Sequence, residues 1–102
     1  MPAPYDKDTY YPLATFAFEQ VTAAGASVGL TAATLANAKM ATVNVEGAQV
    51  RFRIDGTAPT ATVGALLNDG DELIVWGSMD INAIRFIRAG GVSATLNVHY
   101  AR

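Results

Sequence analysis

From Lys39 onward the chain alternates apolar and polar residues with a period of two. Ala41, Val43 and Val45 fall in one phase, and Met40, Thr42 and Asn44 in the other. Such alternation predicts a strand with one buried face. Glu46-Gly47 reads as a turn. Val50, Phe52 and Ile54 then alternate with Arg51 and Arg53, which predicts a β-hairpin with its arginines outward. Asp55-Gly56 ends this strand, because glycine accepts positive φ without steric cost. Residues 57–67 read as a crossing loop with a helical turn at 63–67. Residues 68–71, Asn-Asp-Gly-Asp, read as a turn. Residues 72–77 form a nearly continuous apolar run, which predicts a strand buried on both faces. The next strand spans 81–89, with Ile84 and Phe86 on one face and Arg85 and Ile87 on the other. Gly90-Gly91 predicts a tight hairpin into a last strand, where Val92, Ala94, Leu96, Val98 and Tyr100 oppose Ser93, Thr95, Asn97 and His99.

Earlier in the chain, residues 13–22 suit a strand with Phe16 and Phe18 on one face. Alanines in 23–38 favour helix, but Gly25 and Gly29 oppose a long one. A short strand at 27–30 followed by a loop or single helical turn at 31–37 is expected. Residues 1–12 read as an extended arm, since Pro2, Pro4 and Pro12 fix φ and remove donors. Tyr5, Tyr10 and Tyr11 give that arm large amphipathic contacts, either with a neighbouring subunit or with its own domain. The expected fold is all-β, a two-sheet sandwich or jelly-roll-like domain over 13–102 with an extended N-terminal arm.

Length and composition narrow the picture. A chain of 102 residues is expected to form one domain. Charged residues make up 16%, below the roughly 25% typical of soluble proteins. Mean hydropathy is +0.23. Few charges favour a chain that lives in an assembly over a compact monomer. The net charge is −2 with no basic block, so nucleic acid is not an expected partner. Cys is absent, which removes disulfide frameworks, thiolate metal sites and a cysteine nucleophile. No apolar run is long enough for a transmembrane helix, and residues 1–12 hold no secretory h-region, so an intracellular origin is expected.

Candidate chemistry is sparse. His99 is the single histidine and falls on the polar face of its strand, beside Thr95 and Asn97. No serine has the context of a nucleophile elbow. Asp69, Asp71 and Glu72 present oxygen ligands suited to a hard cation. Their place beside Gly70 equally suits carboxylates that cap a turn. No phosphate-binding glycine loop occurs. Trp76, within its apolar run, suits core or a subunit interface. Arg51, Arg53, Arg85 and Arg88 either pair with acids on neighbouring strands or face a partner. These patterns predict no enzyme and no cofactor. The candidate interface residues are Tyr5, Tyr10, Tyr11, Arg51, Arg53, Trp76, Arg85 and Arg88.

One run of signatures resembles a known group. It comprises Arg53-Ile54-Asp55-Gly56, Pro59-Thr60 with Gly64, Gly70-Asp71-Glu72-Leu73, Ile84 to Arg88, and Ser93 to Tyr100. Over about residues 40–100 the chain resembles small β-sandwich structural proteins of tailed bacteriophages. The resemblance implies a virion component, first a capsid decoration (cement) protein. It would bind the major capsid protein, self-associate as a homotrimer, and be made in the cytoplasm of a bacterial host. A tail, baseplate or head–tail junction component shares every feature named. A carbohydrate-binding module is a third class, for which Trp76 and the arm tyrosines would supply the aromatic platform.

Overall fold

A computed structural model describes residues 13–31 and 37–102. The predicted arm, with Tyr5, Tyr10 and Tyr11, and residues 32–36 of the loop or helical turn expected at 31–37 lie outside the described residues. The architecture is an all-β antiparallel sandwich. The strands among the described residues are β1 (Thr15–Ala23), β2 (Met40–Glu46), β3 (Val50–Arg53), β4 (Ala65–Leu67), β5 (Glu72–Trp76), β6 (Arg85–Arg88) and β7 (Ala94–Ala101). Among the described residues one short helix, α1 (Ser78–Ala83), lies between β5 and β6. The four-stranded sheet has the order β1-β7-β2-β5, and the three-stranded sheet β4-β3-β6. Val28 adds an antiparallel bridge to Phe86 on the free side of β6, where a short strand at 27–30 was expected.

The core follows the period of two. Ala41, Val43 and Val45 of β2 and Leu96, Val98 and Tyr100 of β7 are buried against Val50 and Phe86 from the other sheet. Phe52 stacks at a tilt on Phe86, with ring centroids 6.2 Å apart. Burying each such side chain contributes about 1.5–3 kcal/mol, which opposes the ordering entropy of these short strands.

Four local expectations give way to tertiary pairing. Residues 40–54 do not form a hairpin, because β7 and β5 already occupy both edges of β2. The turn at Gly47 instead carries the chain from one sheet to the other. Gly90-Gly91 does the same between β6 and β7, and Val92 lies exposed outside β7. Residues 65–67 are a strand, not a helical turn, since Ala65 and Leu67 pair with Phe52 and Val50. The strand expected at 81–89 begins only at Arg85. Gly77, with φ 88, breaks β5, and α1 follows. Ile81 and Ile84 are three apart, one helical turn, and both are fully buried at the end of the core.

Two further corrections concern faces. β5 is an edge strand, so Leu73 and Val75 turn inward while Ile74 and Trp76 turn outward. Phe16 and Phe18 do not share a face. The register slips between Thr15 and Ala17, and this bulge turns Phe16 toward Tyr100 and the core. Phe18 remains on the outer face.

Candidate interaction surface

Strand register builds the outer face of the four-stranded sheet in rows. Phe18 of β1 aligns with His99 of β7, Thr42 of β2 and Ile74 of β5. Toward one end, Met40 aligns with Ala101 and Trp76. Toward the other, Gln20, Asn97, Asn44 and Glu72 form a polar row, with Glu46 opposite Thr95 beyond it. Phe18 is 50% exposed and Ile74 45%. His99 is exposed, as expected, and its ring lies 4.7 Å from that of Phe18. In the polar row Gln20 Nε2 donates to Asn97 Oδ1 at 2.8 Å, and Asn97 Nδ2 donates to Glu46 Oε1 at 3.1 Å. The face is thus half apolar and half an ordered amide and carboxylate ladder.

The arginines stand on the other side of the molecule. Arg51 shares the outer face of the three-stranded sheet with Leu66 and Ile87, and Arg53 with Arg85. Each guanidinium has a local acceptor. Arg51 donates from Nε to the Ala61 carbonyl and from Nη1 to the Gly64 carbonyl, both at 2.9 Å, which fastens the loop before β4. Arg53 grips Asp55 with two bonds of 3.1 and 2.5 Å. That bond raises the guanidinium pKa and holds the Asp55 carboxyl below its ordinary range. Arg85 Nη1 donates to the Asn82 and Ile84 carbonyls at the end of α1. Arg88 shares its face with Val50, and its guanidinium lies over Gly25 and donates to Ser93 Oγ at 3.4 Å. Gly29 likewise leaves room for Arg85: a Cβ there would stand 2.8 Å from Nη1.

The five described candidates, Arg51, Arg53, Trp76, Arg85 and Arg88, are therefore not one constellation. Trp76 and the outward arginines Arg51, Arg53 and Arg85 lie on opposite sides of the sandwich, and Arg88 is on the other phase of β6. The acidic turn at 68–71 caps backbone N–H groups, one in the neighbouring turn at Gly47 and one of its own. Asp69 Oδ1 accepts from the Gly47 N–H at 2.9 Å and Asp71 Oδ2 from the Asn68 N–H at 2.8 Å. Among the described residues no group of three or more His, Asp or Glu is placed to hold a metal ion. Phe18 and Trp76 stand on the two edge strands, three strand spacings or about 14 Å apart. Among the described residues they do not form one continuous stacking platform.

No family model, curated protein or solved structure matches the chain. Sequence reasoning missed Phe18, Ile74 and His99 as one row. Its signal was present in β5, where both phases of a short strand are apolar, so one phase must face outward if the strand is at an edge.

Proposed function

We propose that the chain is a non-enzymatic structural protein of a phage virion, and first a capsid decoration protein that stabilises the head shell. The observation that carries the reading is the outer face of the four-stranded sheet, with Phe18 and Ile74 half exposed beside an ordered polar row. Mixed surfaces with exposed aromatics suit protein partners, whose interfaces pair an apolar centre with a polar rim. The resemblance over residues 40–100 supplies the class of partner, the major capsid protein, and a homotrimer as the working unit. In this reading the arm tyrosines add a second point of attachment.

Light scattering of the purified protein tests the reading. At about 0.5 M salt, where contacts between charged faces are screened, the expected result is a closed trimer, retained when residues 1–11 are deleted. Rings of six or twelve subunits would instead place the chain in the tail or the head–tail junction. A monomer at every concentration would overturn the trimeric decoration reading.

A further inference from the structure

The two outer faces of the sandwich differ in charge. The outer rows of the four-stranded sheet hold Glu46 and Glu72 and neither Lys nor Arg; Lys39 and Arg102 flank their far end. The outer face of the three-stranded sheet holds Arg51, Arg53 and Arg85, with Asp55 as the one paired acid. Among the described residues, the strand positions of the two outer faces thus carry two negative charges on one and, with Asp55, a net two positive on the other. Each face also exposes apolar area, Phe18 and Ile74 on the acidic one and Leu66, 42% exposed, on the basic one. The arginines are already held by the loop before β4, by Asp55 and by α1, so little side-chain entropy remains to be lost on contact.

We propose that copies of this chain associate head to tail, the acidic outer face of one on the basic outer face of the next. Two acidic faces laid with matching ends together would bring Glu46 and Glu72 against their own copies, whereas the head-to-tail contact sets both carboxylates toward the arginine face. The two sheets pack face to face, so their outer faces point in opposite directions. A heterologous contact between opposite faces does not close, and it generates an open stack. The acidic face is four strands wide at about 4.8 Å and some seven residues long at about 3.3 Å, near 450 Å² in flat area. That is about half of the roughly 800 Å² per partner in a stable complex. The contact is accordingly weak and reversible, and it forms where local concentration is high. The inference stands on the two faces alone and does not depend on the virion reading.

Sedimentation velocity of the full chain tests it. At about 20 mM salt the mean mass should rise at least twofold between about 10 µM and 1 mM protein, without a plateau, and fall back at about 0.5 M salt. A chain with both Glu46→Lys and Glu72→Lys has two basic faces and should keep one mass at low salt. Mixed with the unaltered protein it should bind only through its basic face and cap the stack, lowering the mean mass. Equal melting temperatures for the two proteins establish that the variant is folded. A mass independent of concentration at low salt would overturn the stack, as would a variant that associates like the parent. A constant trimer mass would overturn the stack while leaving the decoration reading standing.

Discussion

Arg53 and Arg85 stand directly opposite each other across β3 and β6. Like charges paired in this way destabilise a sheet. Here each guanidinium is drawn away, Arg53 to Asp55 and Arg85 to the carbonyls that end α1. The arginine pair is tolerated because acceptors outside the ladder hold it apart.

Asp55→Asn removes one of those acceptors. The Asp55 pKa is lowered in the fold, chiefly by its bond to Arg53. Its contribution is therefore present above the unfolded value near 3.9 and is lost as pH falls below it. The variant should melt slightly below the parent at pH 7, and the gap should narrow as pH falls below the unfolded value. Thermal melts across that range check this, and a gap that does not narrow would contradict it.

Tyr100 is fully buried and its hydroxyl donates to Glu19 Oε2, which also accepts from the Thr31 N–H at 3.1 Å. Burial, and then the Glu19 carboxylate, push the Tyr100 pKa well above its ordinary value. A raised pKa means stability that is complete below the unfolded value near 10 and lost as pH climbs past it. Tyr100→Phe should cost about 1–3 kcal/mol at pH 7 through the lost bond to a charged acceptor. Above about pH 10 the parent should weaken while the variant does not, so their urea midpoints should converge.

Gly64 and Gly29 should respond differently to alanine. A Cβ at Gly64 would meet the Phe52 carbonyl oxygen at 3.0 Å, and φ there is +137°. Gly64→Ala should cost about 1–3 kcal/mol, because both the neighbour and the strain are backbone. At Gly29 the obstacle is the end of the Arg85 side chain, which can swing aside. Gly29→Ala should fall within about 1 kcal/mol of the parent. Urea unfolding of both variants measures the contrast.

Phe86 joins the two halves of the core, paired with Phe52 in β3, bridged to Val28 and wholly buried. Phe86→Ala should cost about 3–5 kcal/mol, leaving a cavity that three elements cannot collapse together. A loss of that size corresponds to a fall of some 15 °C or more in melting temperature, measurable by circular dichroism.

Strand positions were legible wherever one phase is apolar and the other polar. Val43 against Thr42, and Leu96 against Asn97, fall where alternation places them. Partner strands were not legible. Glu46-Gly47 and Gly90-Gly91 look like hairpin turns because a turn's chemistry is local, whereas the choice of neighbour depends on which edges are already filled. The helix at Ser78–Ala83 was hidden for a related reason. Six residues are too few for a helical period to outweigh the strand pattern that follows. For the candidate surface, Arg51 and Arg53 were correctly read as outward, but their acceptors lie in loops and turns whose path alternation does not encode. Phe18 was placed wrongly beside Phe16, because nothing in "TFAFE" announces a bulge.

The place of β7 has a consequence for the order of folding. Among the described residues β1 has no strand neighbour except β7, which is also the inner neighbour of β2. About 70 residues separate Ala23 from Ala94, and during synthesis β1 must wait that long with its backbone unpaired. The four-stranded sheet is thus completed from the middle outward, late, by one segment. A nascent chain stalled before residue 94 would display the long edges of β1 and β2, the form most open to pairing with another chain.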